Sequence, residues 1–419
     1  MYKYLINGQK ELKGEVLISG SKNAALPLLA ASLLTSGKTM LRNVPELKDI
    51  KTMLEVLKFL GVKYLFEKNN LELDTTKLTT HKAPYDLVKT MRASIYVLGP
   101  LLARLGKAMV SLPGGCAIGP RPVNLHIDAM EKLGATIKIE DGFIHATTKG
   151  LKGTEITFPK ISVGATANIL MGAVLAKGTT VIKNAALEPE VEELINFLIK
   201  MGARIEGKNT DTLTIQGIQK LKPVQYTVIP DRIESGTYLM AGVISESPIT
   251  IKNMNVDHIR SLIRILEEIG VQLEVSNNSV KIKKISNLKG VYLKTLPYPG
   301  FPTDLHPLLT PLLTKIKGIS VINETIFENR FAYIPELIRM GAEIEIDDHM
   351  VIIKGGSRLN GTKVMASDLR GGAALVLAGL IAKNETIVDR IYHIDRGYEN
   401  MEDKLQKLGA DIKRIKSDQ

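Results

Sequence analysis

The chain has 419 residues, of which 44% are apolar, 24% are charged and 5% are aromatic. This length and composition predict a soluble, globular protein with two or three domains. The longest apolar stretches, such as residues 373–382, fall well short of the roughly 20 residues that span a bilayer, so we expect no membrane partner.

The N-terminal sequence MYKYLINGQK lacks the basic and apolar regions of a signal peptide, so we expect no export. Cys116 is the single cysteine, which excludes an internal disulfide. No Cys/His cluster has the spacing of zinc ligands. We therefore expect a cytoplasmic protein without a metal or other cofactor.

The chain carries 55 Lys and Arg against 44 Asp and Glu, a formal net charge of +11. This excess has two interpretations. It reflects a basic proteome, or it serves a partner that carries phosphate or carboxylate, either a nucleic acid or an anionic metabolite. The charge alone does not choose between them.

One short sequence motif recurs along the chain. It predicts a helix that ends at a glycine and is followed by a strand of alternating polar and apolar residues. Successive copies are 73, 68, 68, 71 and 68 residues apart, at Gly61, Gly134, Gly202, Gly270, Gly341 and Gly409. A second phrase, a helix rich in small residues, then a turn and a β-branched strand, precedes each copy at a similar period. Two markers with a common period predict a βαβαββ-like module used six times.

The sixth copy ends at GADIKRIKSDQ, before the strand that follows the equivalent glycine in other copies. A similar strand lies at the other end of the chain, because YLINGQKELKG resembles LTIQGIQKLKP of the third copy. We therefore predict two lobes of three repeats each. One comprises residues 20–229, with the loop around Cys116, and the other comprises residues 1–19 together with 230–419.

Polar and glycine residues gather at one place in the repeat, the start of the small-residue helix. Counting 14 residues back from each turn reaches Asn23, Arg92, Gly164, Ile233, Asp304 and Arg370. Free N–H groups and the helix dipole would make these helix starts an anion site. Ordinary capping is the alternative for Ser, Thr, Asp and Asn. It does not explain Arg92 and Arg370, whose charges oppose the dipole.

Cys116 lies in the sequence SLPGGCAIGPRPV, where glycines and prolines predict a mobile loop. Arg121 follows five residues later, and Lys22 is a further candidate neighbour. Positive neighbours lower a thiol pKa from about 8.5 towards neutrality, which suits a nucleophile or general acid. An inert small residue is the alternative. A Cys/His hydrolase with His126 is a further one, although His126 lies in a predicted helix.

These motifs together resemble the UDP-N-acetylglucosamine 1-carboxyvinyltransferase family of enolpyruvyl transferases. The resemblance covers the whole chain and rests on ISGSKNAALPLLAASLL, LPGGCAIGPRPV, VGATANILMGA, PDRIESGTYL, FPTDLHP, ETIFENRF and VDRIYHIDRGYE. It implies a two-lobed inside-out α/β barrel. It also implies transfer of enolpyruvate from phosphoenolpyruvate to the 3'-hydroxyl of UDP-N-acetylglucosamine, with release of phosphate, at the start of peptidoglycan precursor synthesis.

The resemblance also assigns roles to individual residues. Cys116 becomes the general acid and the site of a covalent adduct, and Asp304 becomes the candidate base near the sugar hydroxyl. Lys22 and Arg396 complete the catalytic set, and both bind substrate. The other residues assigned to substrate binding are Asn23, Arg92, Arg121, Pro122, Val123, Asn124, Leu125, Ser162, Gly164, Ile326 and Arg370.

Two departures from the family pattern stand near this set. Many relatives have Asp where this chain has Asn124, and many have serines within the stretch Gly371–Ala374. The first places a contact to the nucleotide in doubt, and the second concerns the helix start beside Arg370.

Two other functions remain as alternatives. The related transferase that acts on shikimate 3-phosphate shares the fold but has no equivalent of the cysteine loop. A basic repeat protein that binds RNA would also explain the net charge, but it would need surface aromatics and Lys/Arg stripes. This chain has 5% aromatics and no Trp.

Overall fold

The computed structural model describes residues 2–88, 91–112 and 123–416. These residues divide into two compact units, each with its own hydrophobic core. The first lobe contains residues 20–112 and 123–229, and the second lobe contains residues 2–19 and 230–416.

The strands of the described residues are short, and each belongs to a four-stranded sheet. In chain order they are β1 (Tyr2–Asn7), β2 (Glu15–Leu17), β3 (Lys38–Arg42), β4 (Lys63–Glu67), β5 (Asn70–Asp74), β6 (Lys82–Ala83), β7 (Lys107–Ser111), β8 (Thr136–Glu140), β9 (Phe143–Thr147), β10 (Glu155–Thr157), β11 (Thr179–Lys183), β12 (Arg204–Glu206), β13 (Thr212–Gln216), β14 (Gln225–Thr227), β15 (Thr250–Lys252), β16 (Val271–Ser276), β17 (Ser279–Ile285), β18 (Tyr292–Lys294), β19 (Ile319–Asn323), β20 (Glu343–Asp347), β21 (Met350–Lys354), β22 (Lys363–Met365), β23 (Glu385–Asp389) and β24 (Asp411–Lys416).

The helices alternate with these strands. They are α1 (Lys22–Ala31), α2 (Lys48–Phe59), α3 (Tyr85–Val88), α4 (Leu98–Leu105), α5 (Asn124–Lys132), α6 (Val163–Ala173), α7 (Pro189–Lys200), α8 (Arg232–Ile244), α9 (Arg260–Ile269), α10 (His306–Lys315), α11 (Ile334–Arg339), α12 (Leu369–Ile381) and α13 (Met401–Lys407). Short 3-10 helices cover Ser32–Leu34, Arg92–Val97, Val256–Ile259 and Ile391–Arg396.

All six sheets share one topology, which confirms the predicted α/β fold of βαβαββ repeats. In the third repeat, β10 pairs in parallel with β11, β11 pairs antiparallel with β13, and β13 pairs antiparallel with β12. The orders β6-β7-β9-β8 and β18-β19-β21-β20 repeat this arrangement. The small-residue helix follows the first strand of the repeat, and an amphipathic helix follows the second.

The repeats at the ends of each lobe are completed by distant strands. β1 lies between β23 and β24 and is antiparallel to both, so it closes the sheet of the sixth repeat. β2 pairs in parallel with β15 and opens the fourth repeat. In the first lobe, β14 pairs in parallel with β3 and opens the first repeat.

Helices form the interior of each lobe and sheets form the outside. The small-residue helices are apolar on all sides, as in α12, where every residue from Arg370 to Leu380 is buried. Strands alternate instead between buried and accessible residues, as in β11, so one face of the sheet covers the helices. In the second lobe, α8, α10 and α12 contact one another, which brings their starts together.

The glycines that end the amphipathic helices behave as the sequence predicts. All six repeat glycines adopt positive φ, between 92° and 117°. A side chain would strain the backbone there, because L-residues rarely occupy this region. Glycine at this position therefore fixes the turn from helix to strand in every repeat.

Candidate active site

Four polar residues at helix starts act as ordinary N-caps. Ser21 accepts a hydrogen bond from the backbone N–H of Ala24 at 3.2 Å. Ser162 does the same in α6, and Asp231 and Asp368 each accept two backbone N–H groups at the starts of α8 and α12. Capping therefore satisfies one backbone N–H group at the starts of α1 and α6 and two at the starts of α8 and α12.

Asp304 does not behave in this way. It precedes α10, which has no side-chain cap, and its carboxylate contacts two arginines instead. Oδ1 accepts from Nη2 of Arg330 at 2.7 Å, and Oδ2 accepts from Nε of Arg370 at 3.2 Å. The side chain of Asp304 is 28% exposed, whereas those of both arginines are 3% exposed. An accessible carboxylate thus lies against two buried cations.

Each of these arginines keeps a buried donor without a partner among the described residues. These donors are Nη1 of Arg370 and Nε of Arg330. The guanidinium of Arg370 lies 5.3 Å from the ring centre of Tyr398, whose hydroxyl is 2.9 Å from that of Thr237. A buried guanidinium donor without an acceptor is costly, so this arrangement favours an oxyanion ligand.

Ile326 and Arg396 also belong to the second lobe, which contains Asp304 and Arg370. The backbone N–H of Ile326 donates to Oε1 of Glu324 at 2.7 Å. Arg396 ends the 3-10 helix Ile391–Arg396, which contacts the helix of Arg370. Its neighbour Asp395 accepts two hydrogen bonds from Arg414, at 2.6 and 3.0 Å. The second lobe therefore brings Asp304 and Arg370 into contact and anchors the segment of Arg396 on the same helix.

The remaining predicted residues within the described ranges belong to the first lobe. Lys22 begins α1 and is only 8% exposed, and its Nζ lies 3.5 Å from Oδ2 of Asp49. Asn23 is half-buried beside it. A buried ammonium group held near a carboxylate at a helix start can bind an anion.

The start of α6 packs on α5, which carries Asn124 and Leu125 and is preceded by Val123. A Cβ atom on Gly164 would lie only 3.2 Å from Cε1 and Nε2 of His126, so a larger residue here would require the imidazole to shift by a few tenths of an ångström. Arg92 begins a 3-10 helix rather than the α-helix expected at this locus, since α4 starts six residues later. Its positive charge still acts on His126.

His126 is a structural residue held in its neutral form. Its Nδ1 lies 3.1 Å from Nδ2 of Asn168, which also donates to the carbonyl of Ile95, while Oδ1 of Asn168 accepts from Gly99 N. Asn168 is therefore the donor, and Nδ1 the acceptor. Burial, helped by the charge of Arg92, lowers the pKa of His126 to about 4.

This low pKa predicts a pH-dependent loss of stability. The unfolded state gains a proton near pH 6.5 and the folded state only near pH 4, so stability falls as the pH drops through this window, by about 3 kcal/mol in all. His126→Asn keeps an acceptor and should remove this component. Urea unfolding at several pH values measures it, with the exposed His349→Asn as control. Equal pH slopes for wild type and His126→Asn would contradict the assignment.

Comparisons with known proteins now decide the family. The family model described as EPSP synthase (3-phosphoshikimate 1-carboxyvinyltransferase) matches residues 6–405. A protein of Carboxydothermus hydrogenoformans named UDP-N-acetylglucosamine 1-carboxyvinyltransferase 2 is 51% identical over 99% of this chain and 100% of its own. One of Acinetobacter baylyi named UDP-N-acetylglucosamine 1-carboxyvinyltransferase is 50% identical over the same shares. The chain belongs to the UDP-N-acetylglucosamine 1-carboxyvinyltransferase family.

Solved structures of enolpyruvyl transferases have the same fold as this chain. The enolpyruvyl transferase NikO from Streptomyces tendae superposes with a TM-score of 0.92 at 27% identity, covering 100% of this chain and 99% of that one. EPSP synthase from Acinetobacter baumannii superposes with a TM-score of 0.76 at 16% identity, covering 99% and 100%. The second similarity shows the fold alone. The identification as an enzyme of the enolpyruvyl transferase fold is confirmed.

Three of the assigned residues lie outside the described residues. They are Cys116, Arg121 and Pro122. Sequence reasoning in turn missed Arg330 and Glu324. Both lie in the motif ETIFENRF, which supports the resemblance, but only Ile326 was selected from it. Arg330 carried a usable signal, since it is an arginine within a specific motif.

The described residues contain neither a membrane-spanning helix nor a cluster of metal ligands. Every helix there is too short or too polar to cross a membrane. Nowhere in residues 2–88, 91–112 and 123–416 do three or more His, Cys, Asp or Glu side chains form a group able to hold a metal ion.

Proposed function

We propose that the protein transfers the enolpyruvyl group of phosphoenolpyruvate to the 3'-hydroxyl of UDP-N-acetylglucosamine and releases phosphate. This reaction is the first committed step of peptidoglycan precursor synthesis. Relatives 49–51% identical over nearly the whole chain carry the corresponding name. Both proposed substrates are anions, which agrees with the net charge of +11.

The observation that carries this proposal is the contact of Asp304 with Arg330 and Arg370. One accessible carboxylate lies against two buried guanidinium groups that retain donors without partners among the described residues. The carboxylate can accept a proton, and the guanidinium groups can bind an oxyanion. An addition reaction between a hydroxyl and an anionic enol ether needs both functions.

The addition step involves two proton transfers. Asp304 accepts the proton of the 3'-hydroxyl as its oxygen bonds to C2 of phosphoenolpyruvate. Cys116 donates a proton to C3, so the double bond is lost and a tetrahedral intermediate forms. Protonation of C3 is needed because an enol ether is poorly electrophilic without it.

The elimination step restores the double bond. The C2–O bond to phosphate breaks, the thiolate of Cys116 takes a proton from C3, and inorganic phosphate departs with the proton held by Asp304, so both groups regain their starting protonation states. Lys22, Arg370 and Arg396 carry positive charge suited to the phosphate and carboxylate of the donor. Because Nε of Arg370 already holds Asp304 at 3.2 Å, a bound anion would compete for this guanidinium and make Asp304 a stronger base.

The remaining residues would bind the acceptor. We assign Asn23, Arg92, Val123, Asn124, Leu125, Ser162 and Gly164 in the first lobe, Ile326 in the second, and Arg121 and Pro122 to substrate binding. Ser162 caps α6 through its side chain, which leaves the hydroxyl proton available as a donor.

A phosphate-release assay tests the proposal. Phosphoenolpyruvate together with UDP-N-acetylglucosamine should release phosphate at a steady rate, and neither substrate alone should do so. Shikimate 3-phosphate as acceptor should give no release, which distinguishes this reaction from the one named in the family model. Folded protein without release from the two proposed substrates would refute the proposal.

A further inference from the structure

One position in the repeat has a structural role in three copies and a different residue in the fifth. Asn43, Asn184 and Asn253 directly follow β3, β11 and β15, with φ near 57° in each. Their side-chain amides donate to the carbonyls of Val228, Phe158 and Ile18, at 2.8–2.9 Å. Each carbonyl follows the strand paired in parallel with the strand of the asparagine. The asparagine thus joins two neighbouring strand ends.

Glu324 occupies this position after β19 in the fifth repeat. A carboxylate cannot donate to a carbonyl, and Thr325 makes the equivalent connection instead. Its hydroxyl donates to the carbonyl of Thr295 at 2.6 Å, and its backbone N–H donates to the hydroxyl of Thr295 at 2.9 Å. Glu324 is therefore not needed to join the two strand ends.

The carboxylate of Glu324 is buried, accepts three hydrogen bonds and has a histidine nitrogen as a fourth close contact. Oε1 accepts from the backbone N–H groups of Ile326 at 2.7 Å and Phe327 at 3.1 Å. Oε2 accepts from the hydroxyl of Thr303 at 2.8 Å and lies 3.0 Å from Nε2 of His306. Burial would raise the pKa of Glu324, but these donors, led by His306, outweigh it and lower the pKa. The carboxylate is therefore ionised at neutral pH.

These four contacts connect two segments of the candidate site. Thr303 and His306 lie on either side of Asp304, and Ile326 lies in the segment that continues to Arg330. Arg330 in turn binds Asp304 at 2.7 Å. One buried carboxylate thus fixes the distance between the proposed base and the segment of the proposed nucleotide-sugar contact.

We propose that Glu324 is a positioning residue, which sets Asp304 and the Ile326 segment in register for the nucleotide-sugar. This inference rests on the proposed function. Glu324 acts through these two segments, and its side-chain oxygen Oε1, which accepts from the backbone N–H groups of Ile326 and Phe327, is the direct link to the substrate side. An asparagine at this position, as in three other copies, has a shorter side chain and would not reach all four contacts.

Glu324→Gln is the principal test, because it keeps the shape and removes the charge and one acceptor. We expect kcat to fall on the order of 10- to 100-fold and the Kd for UDP-N-acetylglucosamine to rise, since small displacements at a reacting centre have effects of this size. Asn253→Asp is the matched control, an exchange of amide and carboxylate at the equivalent position in the same lobe. It should keep kcat and Kd near their wild-type values.

Amide hydrogen exchange provides a readout that does not depend on turnover. The N–H groups of Ile326 and Phe327 should exchange faster in Glu324→Gln than in wild type or Asn253→Asp. A wild-type protein that releases no phosphate would refute the proposed function, while the exchange data would still report on Glu324. An active wild type with unchanged kcat, Kd and exchange in Glu324→Gln would overturn the positioning role.

A second variant covers the case in which Glu324→Gln does not fold. His306→Leu removes the 3.0 Å contact of Nε2 and leaves the carboxylate its three hydrogen bonds. It should raise the Kd for UDP-N-acetylglucosamine and lower kcat less than tenfold, because most of the connection remains. Wild-type kinetics in His306→Leu, with the exchange of Ile326 and Phe327 unchanged, would contradict the inference.

Discussion

Asp304→Asn is expected to lower kcat by on the order of 10²- to 10⁴-fold, because an amide cannot accept the proton of the sugar hydroxyl. The substitution keeps the size of the side chain but removes the negative charge between Arg330 and Arg370. Two buried guanidinium groups then lack their common carboxylate, so the free energy of unfolding should also fall. Phosphate release and urea unfolding measure the two effects separately.

The control for this variant is Asp257→Asn in the same lobe. Asp257 is 74% exposed and pairs with Arg260 at 2.9 Å on the surface, so its replacement should change neither activity nor stability appreciably. Asp304→Asn with wild-type kcat at saturating substrates would remove Asp304 from the role of base. A fall in activity that is matched only by a fall in the folded fraction would do the same.

Cys116→Ala should have the other large effect, a loss of kcat on the order of 10²- to 10⁴-fold at neutral pH, because the substitution removes the proposed general acid. Cys116 was assigned from its glycine-rich loop and from the resemblance to the family. Since the acid acts in the chemical step, binding of UDP-N-acetylglucosamine should persist. Calorimetric titration and phosphate release together separate binding from chemistry.

The same cysteine offers a chemical test, because the chain contains no other thiol. We expect fosfomycin, an epoxide that can alkylate a nucleophilic thiol, to add its mass once to wild type and not to Cys116→Ala. Intact-protein mass spectrometry reads this directly. Unmodified wild type, or a Cys116→Ala variant with full turnover, would show that Cys116 is not an activated acid.

The repeat architecture could be predicted because its signals are local. About ten consecutive residues are enough to predict a helix that ends at glycine and the alternating strand that follows it. The six glycines adopt the expected positive φ. The fold class followed from their period. The 3-10 helix that begins at Arg92 was not predicted, because apolar periodicity alone does not distinguish the first turns of a 3-10 helix from those of an α-helix.

The contacts of the candidate site were less predictable. Counting from the turns located Asp304 and Arg370, although they are 66 residues apart, because both occupy one position of the repeat. Arg330 and Glu324 have no such regularity, and their contacts depend on how separate segments pack. Glu324 occupies a position where three other copies have asparagine, so its role can be recognised only by comparing its contacts with those of the three asparagines.

The position of β1 between β23 and β24 has a consequence for biosynthesis. Tyr4 donates to Glu402 across 398 residues of chain, and β1 pairs along its whole length with β24. β1 therefore waits for β24 to be synthesised before its sheet can form. Residues 20–229 contain all the strands of their lobe and can fold while synthesis continues. The second lobe, with its long-range pairing, completes folding only after β24 has been synthesised.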